Sequence, residues 1–420
     1  MTRSRRLSGA ILVLSVCAGG TALRAQQAAV DDQPKIALRY SLKSSLLLSR
    51  LPDDLTLFPD RGSATGFWRF RFEPFAHLNG QVAFEFALEQ RFRALSSAMS
   101  TGSGVLPSEA AAPFRIRQLD WRLASSVRTE WRAEVDRAAV HARVNRAELT
   151  VGRQAIGWGR GVLFGAIDLF SPFTPLEADR EWRRGVDAAR VDLKLTNRTS
   201  IDGVVAFGDS ISRSSFAARL RGYANRADVE IVGGRRARDL FGGLTSSAAL
   251  GPSELHGELA VFRTPAVPGS SAFAGDRSIV KAVTGGSYRL GLGNGVLAYA
   301  EYHYTGFGAT SASGMLPLLQ DAAFQERYLR GDTQILGRHG VAVLVSYEVS
   351  PGTLLSGEWL HGPLDGSGVL VPSVTLTRGD RWSAVLSGYV PYGQEPVGTA
   401  LGSEFGGAPL ALFAQLKMYR

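Results

Sequence analysis

The chain of 420 residues has one cysteine, Cys17, close to its N-terminus. If the N-terminal segment is removed, the mature protein has no thiol, which excludes disulfide bridges and thiolate metal sites. Long apolar runs are missing as well. Beyond the N-terminal segment, no uncharged apolar stretch reaches the roughly 18 residues that a transmembrane helix needs. The sequence therefore excludes a helical membrane protein and leaves an exported soluble protein or an outer-membrane barrel.

Motifs for nucleotide binding and catalysis are also missing. No GxxxxGK[ST] occurs, and VGRQAIGWGRG at 151–161 is neither a GxGxxG motif nor followed by a helical pattern. The six histidines show no HExxH or other close metal-ligand spacing, so we expect no metal site, no cofactor and no catalytic residue. AFGDSIS at 206–212 contains the Gly-Asp-Ser of certain lipases, but the blocks that would supply its base are missing.

The N-terminus has the three parts of a secretory signal. Arg3, Arg5 and Arg6 are positive, residues 7–23 are uncharged, and Ala25 is a small residue at a cleavage position. We therefore expect residues 1–25 to be a signal peptide and 26–420 to be one exported domain. The signal has four arginines and no acid, so its removal lowers the formal net charge from +9 to about +5. We expect no nucleic-acid partner.

Alternation of apolar and polar residues is the dominant pattern of the remaining chain. In 68–73, Trp and Phe alternate with Arg and Glu, and 341–349 shows the same period of two. Such segments are strands with one apolar and one polar face. The 48 glycines are spread along the chain, as many tight turns require. Short turns and generally longer connections follow one another, which is typical of outer-membrane barrels.

The number of strands follows from parity. Nineteen segments alternate, from 36–47 to 409–419, but two termini on the periplasmic side require an even number. The segment 114–124 has no place between an outward strand at 81–92 and an inward strand at 137–144. We predict an all-β fold, a transmembrane antiparallel up-and-down β-barrel of about 18 strands, with 16 or 20 as alternatives and with an inward-folded loop.

A soluble two-sheet protein would also alternate. The meander, however, continues without a break in composition to ALFAQLKMYR at 411–420. An amphipathic terminal strand of this kind is what barrel-assembly machinery recognises. The barrel interpretation is therefore favoured.

Several stretches resemble a broad group of porin-like outer-membrane proteins, which is loosely related to phosphate-selective and alginate-export barrels. The resemblance implies a monomer-sized barrel in the outer membrane of a Gram-negative-type bacterium, in contact with membrane lipid and lipopolysaccharide. It also implies a passive or weakly selective channel. The similar stretches are 135–161 (VDRAAVHARVNRAELTVGRQAIGWGRG), 168–191 (DLFSPFTPLEADREWRRGVDAARV), 281–308 (KAVTGGSYRLGLGNGVLAYAEYHYTGFG) and 361–374 (HGPLDGSGVLVPSV).

The connection 156–187 is the best candidate for a pore constriction. Its first part, 162–173, is apolar, and its second part reads ADREWRRGVD at 178–187. A long connection with both characters can fold into a lumen and bring charges to its narrowest point. The predicted constriction residues are Arg153, Arg160, Asp179, Arg180, Arg183 and Arg184.

Charges on the inward face divide along the chain, basic in the early strands and acidic from 226 to 361. Because consecutive strands are neighbours, a basic wall would face an acidic one and orient charged or dipolar solutes. Alternatively, these charges only keep a wide lumen wet. The basic wall comprises Arg39, Arg69, Arg71, Arg190, Arg219 and Arg221, and the acidic wall comprises Asp228, Glu230, Glu254, Glu258, Glu301 and Glu348.

Together these observations predict a porin-like channel for small hydrophilic solutes, anionic or dipolar. Two alternatives stay open: a barrel that is part of a polysaccharide export or assembly system, and an outer-membrane enzyme of the lipase type.

Overall fold

A computed structural model describes residues 36–52, 61–97, 105–107 and 112–420, so the predicted signal peptide lies outside the described residues. These residues form nineteen strands in one sheet. The strands are β1 (Ile36–Arg50), β2 (Gly62–His77), β3 (Val82–Leu95), β4 (Asp120–Ser125), β5 (Thr129–Val144), β6 (Ala147–Gln154), β7 (Val186–Lys194), β8 (Thr199–Ala206), β9 (Ser215–Ala224), β10 (Ala227–Arg236), β11 (Asp239–Leu250), β12 (Ser253–Thr264), β13 (Arg277–Leu290), β14 (Val296–Thr305), β15 (His339–Ser350), β16 (Thr353–Gly362), β17 (Ser367–Arg378), β18 (Trp382–Tyr392) and β19 (Leu410–Tyr419).

The sheet closes into a barrel, because β19 pairs antiparallel with β1 from Ser41↔Tyr419 to Arg50↔Leu410. Every other strand of the wall pairs antiparallel with the next along the chain, except at β4. That short strand lies on one edge of β5, while β3 pairs with the other edge of β5 directly. The closed wall therefore has 18 strands, which confirms the predicted number and the exclusion of 114–124 as a spanning strand.

The two ends of the barrel differ. The end that holds the two ends of the described chain, here the turn end, has eight connections of two to five residues. At the opposite loop end the connections are longer, with two exceptions at 237–238 and 363–366. There the strands continue further than the alternation predicted, so the hairpins close tightly.

The wall is inside-out compared with a soluble protein. On β1 the inward residues Ser41, Lys43 and Ser45 are buried, whereas the outward residues Leu46 and Leu48 are 45% and 43% exposed. Leucine exposed along a whole face is unfavourable in water and favourable in lipid. The outer face is therefore a lipid-facing belt.

Two short helices, α1 (Met315–Gln320) and α2 (Ala322–Leu329), lie in the connection 306–338. Asp321 caps α2 by accepting hydrogen bonds from the N–H groups of Ala323 and Phe324. Met315 and Phe324 are buried in the apolar cluster that fills the loop end of the barrel. No helix in the described ranges is long and apolar enough to cross a membrane.

Candidate functional site: the loop inside the barrel

The connection between β6 and β7, residues 155–185, lies inside the barrel; we call it the constriction loop. Its apolar half packs as a core, with Ile156, Trp158, Phe164, Ile167 and Phe170 each at most 2% exposed. The ring of Trp158 meets that of Phe170 edge-on at 5.1 Å. Burial of several large apolar side chains, each stabilising by about 1.5–3 kcal/mol, holds this half against the wall.

Glu258 on β12 binds the backbone of the constriction loop. One carboxylate oxygen accepts hydrogen bonds from the N–H groups of Arg160 and Gly161, and the other accepts them from Ala166 at 2.7 Å and Ile167 at 3.0 Å. Four donors on one carboxylate form a charge-assisted set of bonds. The glutamate side chain thereby replaces the strand partner that this irregular backbone lacks.

Glu301 on β14 does the same for the next residues. It accepts hydrogen bonds from the N–H groups of Val162 at 2.7 Å, Leu163 at 2.9 Å and Phe164 at 3.0 Å. The imidazole of His256 lies 3.0 Å from the same carboxylate. Glu258 and Glu301, the latch carboxylates, were assigned from the sequence to an acidic lumen wall. They face inward, but their charge is directed at the loop backbone.

The glycines of VGRQAIGWGRG make this contact sterically feasible. Gly159 has φ +105°, and a Cβ there would lie 2.8 Å from Oε1 of Glu258. A Cβ at Gly161 would meet the carbonyl oxygen of Phe164. Only glycine accepts this conformation and this close approach. The stretch is therefore a backbone cradle for two carboxylates.

The charged half of the loop reaches the opposite wall. Asp179 accepts hydrogen bonds from Lys43 at 2.7 and 2.8 Å, and Arg69 and Lys417 each lie 3.4 Å from it. Lys43 is the middle residue of the 15 in β1, so the contact lies at mid-height of the barrel. Burial by itself raises the pKa of Asp179, but Lys43, Lys417 and Arg69 outweigh burial and hold that pKa below its usual range.

Trp182 extends this contact. Lys43 Nζ lies 3.5 Å from the centroid of its ring, and the guanidinium groups of Arg69 and Arg71 lie 5.0 and 5.1 Å from it. Three cations around one indole are within the range of cation–π attraction. The loop therefore bridges the lumen from β12 and β14 to β1 and β2.

Four of the predicted constriction arginines lie on this loop and pair with carboxylates. Arg160 lies 3.0 Å from Glu230 and 3.7 Å from Asp228. The other three pairs are Arg180–Glu358 at 3.6 Å, Arg183–Asp168 at 2.5 Å and Arg184–Glu134 at 3.6 Å.

Arg153 differs from these four. It is 3% exposed, and its guanidinium is bound by Asp187 and by the carbonyls of Val135 and Arg117. The structure therefore places Arg153 at the root of the loop, where its guanidinium holds the backbone at Val135 and Arg117.

A β-bulge creates an ionic network that alternation did not predict. β3 pairs Ala87 with Arg137 and Leu88 with Val135, so Asp136 is the additional residue. Asp136 and Arg137 are consequently both buried, and Asp136 binds Arg71 at 2.6 Å and Arg137 at 2.5 Å. Arg69 and Arg71 of the predicted basic wall are thus neutralised locally, Arg69 by Glu89 at 2.8 Å.

Further along the wall, Asp202 is fully buried between two arginines of the predicted basic wall. It binds Arg190 at 2.8 Å and Arg219 at 3.0 Å, and Arg219 also binds Glu230 at 3.2 Å. Asp202 alternates with Ile201 on β8, so the period of two would have identified it as inward. Arg221 pairs with Asp192 at 2.5 Å.

The remaining predicted wall residues lie near the turn end and are more exposed. Arg39 and Glu254 are exposed, and Glu348 is half-buried. These residues belong to a vestibule below the constriction loop.

The alternative sites from the sequence can also be placed. Ser210 lies in the β8–β9 connection, where its hydroxyl contacts Asp209 and Ser212 at 3.2 Å. No histidine is among these contacts of the described chain, so a lipase-type base is not at hand. Within the same ranges, no three histidine, cysteine or carboxylate side chains come together as a metal site.

A second carboxylate contact joins two connections at the loop end. Glu404, in 393–409, accepts hydrogen bonds from the N–H groups of Leu336 at 2.6 Å and Gly337 at 3.1 Å. Burial raises the pKa of Glu404 to about 7, with a smaller contribution from Asp365, although the two N–H groups lower it. Tyr328 is a further titratable group near this carboxylate.

Docking of 393–409 is expected to weaken as the pH rises from about 4.5 to about 7, and to change little above that. The docked state binds the Glu404 proton more tightly than an undocked state with the ordinary pKa of 4.5, so docking is strongest at low pH. Hydrogen exchange of 393–409, corrected for intrinsic rates, should show more protection at about pH 5 than at about pH 8. Glu404→Gln should remove that difference. A pH dependence that persists in this variant would assign it to another group.

Solved structures with the same architecture are outer-membrane porins. The chain is similar to OccAB3 of Acinetobacter baumannii (TM-score 0.56, 10% identity, 92% of this chain and 99% of that chain). It is also similar to a BenF-like porin from Pseudomonas fluorescens (0.56, 13%, 93% and 98%) and to Pseudomonas aeruginosa OccK2 in complex with glucuronate (0.53, 12%, 92% and 97%). No protein-family model and no curated protein matches the chain. At these identities the similarity establishes the fold, a closed 18-stranded barrel like those of outer-membrane porins.

Proposed function

We propose that this protein is an outer-membrane channel for passive or weakly selective passage of small hydrophilic solutes, preferring anions. It would be exported by cleavage of residues 1–25. The observation that carries the proposal is the constriction loop, which crosses the lumen at mid-height from the latch carboxylates to Lys43 and Asp179. A loop held on two sides of the lumen narrows the path through the barrel.

The preference for anions rests on unequal exposure within the ion pairs of the loop. The side chain of Arg184 is 24% exposed and that of its partner Glu134 is 2% exposed; Arg183 is 23% exposed and Asp168 14%. The side chain of Arg160 is likewise more exposed than that of Glu230, 30% against 5%, although its second partner Asp228 is 47% exposed. Glu181 of the loop is an exception, because it is 34% exposed whereas its partners Lys43 and Lys417 are 0% and 15% exposed. Beside Arg183 and Arg184, a passing solute therefore meets mainly guanidinium groups, whose attraction for anions is strengthened in a narrow, low-dielectric pore.

The solute class follows from the same groups. Guanidinium binds carboxylates through two parallel hydrogen bonds. The similar OccK2 structure holds glucuronate, a sugar acid. We therefore propose small hydroxylated carboxylates as the first solutes to test.

Reversal potentials in planar bilayers under a KCl gradient test this function. Anion preference is expected for the native chain, and Arg183→Gln/Arg184→Gln should reduce it and should slow glucuronate-driven swelling of liposomes more than glucose-driven swelling. Arg143→Gln is the matched control, because Arg143 lies towards the turn end of β5, away from the loop. An unchanged reversal potential in the double variant would contradict the role of these arginines.

The other functions are less well supported. A polysaccharide export barrel needs a wide lumen, which the inward loop narrows, and a lipase needs a base beside Ser210. A relation to phosphate-selective or alginate-export barrels, suggested by the sequence pattern, is a hypothesis on which the proposal does not depend. We further propose membrane lipid, lipopolysaccharide and the barrel-assembly machinery as partners, the last through β19.

A further inference from the structure

The lipid-facing surface has one depression that the channel function does not explain. It lies on the outward face of β7–β10 and has a volume of about 500 Å³. Small residues form its floor, and bulkier side chains form its sides. The lining includes Ala189, Val191, Gly203, Val205, Phe216 and Gly233. We call it the outer groove.

The floor of the outer groove is open because of glycines that the backbone geometry does not require. A Cβ at Gly203 would meet nothing within 4 Å, and one at Gly233 would only touch the carbonyl oxygen of Phe241 at an ordinary 3.6 Å. Neither glycine has the positive φ that favours this residue. Glycine inside a strand destabilises it by roughly 0.5–1 kcal/mol relative to alanine. These positions therefore keep space free at a cost in stability.

Cations lie at the loop end of the same surface. On the outward face, Arg235 of β10 lies opposite Phe216 of the groove and opposite Leu240 of β11 in the strand register. Leu240 in turn lies opposite Arg263 of β12. Arg235 and Arg263 are thus two strands, or about 10 Å, apart. Arg238 is exposed in the two-residue turn above them. We call these three residues the cationic rim.

The charge of the cationic rim is not balanced locally. In the described part of the chain, none of the three arginines forms an ion pair with a carboxylate, whereas most inward arginines do. Arginine on a lipid-facing surface costs about 2–4 kcal/mol at the bilayer midplane and little near the interface. The cationic rim therefore belongs at headgroup level, directly above an apolar groove.

We propose that the outer groove and the cationic rim bind an anionic glycolipid, the phosphorylated lipid A of lipopolysaccharide. An acyl chain would fill the groove, and phosphates would accept hydrogen bonds from Arg235 and Arg263. The proposal rests on the outer-membrane location of the proposed function. Apolar shape and cationic charge occur together at one end of four strands, and an amphiphile with anionic headgroup complements both.

Native mass spectrometry of the refolded full barrel in detergent, titrated with hexa-acyl diphosphoryl lipid A, tests the proposal. Arg235→Gln/Arg263→Gln should weaken binding at least tenfold. Gly203→Leu/Ala218→Leu, which fills the groove, should weaken it as well. The matched control is Arg198→Gln/Arg226→Gln, in the turns of the same strands at the turn end, which should bind as the native chain does.

Three outcomes would overturn the proposal. Equal binding of dephosphorylated lipid A would exclude the phosphate contact, and equal binding of phosphatidylglycerol would exclude the glycolipid as the specific occupant. A dimer that Gly203→Leu/Ala218→Leu abolishes would identify a second barrel as the occupant of the groove. Conductance of each variant is recorded separately, since a native chain that binds lipid A but does not conduct would refute the channel function alone. Heat-dependent mobility on gels confirms that each variant is folded.

Discussion

Glu258→Gln/Glu301→Gln is expected to raise single-channel conductance several-fold and to add current noise. The latch carboxylates accept hydrogen bonds from seven backbone N–H groups of residues 160–167, and no neighbouring strand offers carbonyl groups that could replace these acceptors. Glutamine has nearly the same shape but replaces one acceptor oxygen with a donor that faces other donors. Each N–H left unsatisfied costs about 1–3 kcal/mol, so the double change should release the loop from its wall.

The measurement is planar-bilayer recording at fixed salt and voltage. Glu254→Gln is the matched control, because Glu254 lies on β12 near the turn end, is exposed, and forms no hydrogen bond or ion pair with the described residues of the loop. Deletion of 160–182 sets the upper limit of conductance, since it removes most of the constriction. Conductance in the double variant equal to that of the native chain would show that apolar packing alone holds the loop.

Lys43→Met is expected to lower the free energy of unfolding by about 3 kcal/mol, the low end of what breaking a buried ion pair costs. The side chains of Lys43 and Asp179 are 0% and 1% exposed, so the change leaves a carboxylate buried beside weaker partners. Lys417 and Arg69, each 3.4 Å from Asp179, limit the loss.

A double variant distinguishes the contribution of the Lys43–Asp179 ion pair from that of side-chain packing. In Lys43→Met/Asp179→Leu the second carboxylate partner of Lys43, Glu181 at 2.9 Å, keeps Lys417 at 3.4 Å, and Arg69 keeps Glu89 at 2.8 Å. Each remaining charge therefore still has a partner, so most of the stability should return. Urea unfolding in lipid vesicles, followed by tryptophan fluorescence, measures both variants. Lys194→Met is the control, since that side chain is 54% exposed and only 4.0 Å from Glu148, and it should cost under about 1 kcal/mol. If the double variant does not regain its free energy of unfolding, Asp179 must also stabilise the fold through contacts other than its pair with Lys43.

The strands and their number could be predicted because their cause is local. A strand between lipid and lumen must alternate, whatever its neighbours, and a chain with both ends on one side must cross an even number of times. The exclusion of 114–124 followed from this count alone. Where local geometry breaks the period, as in the bulge at Asp136, the same reasoning assigned the residue no inward role.

The constriction loop shows the limit of such reasoning. Its length and its apolar and charged halves indicated that it folds inward, and Arg160, Asp179, Arg180, Arg183 and Arg184 do lie on it. The ion-pair partners of the inward arginines could not be read in the same way, because Asp202 and Glu134 are brought to them by strand register. Counting charges strand by strand predicted walls of unpaired charge. The strand register instead places opposite charges next to each other.

By itself, the sequence determined that this chain forms a closed barrel of about 18 strands with an apolar exterior, because the alternation that carries this information repeats every two residues. Only the tertiary structure decided what the glycines of VGRQAIGWGRG are for. The N–H groups of Arg160 and Val162 meet carboxylates 98 and 139 residues away. Backbone donors carry no signature in the sequence, and Glu258 and Glu301 reach them only after the barrel has closed around the loop.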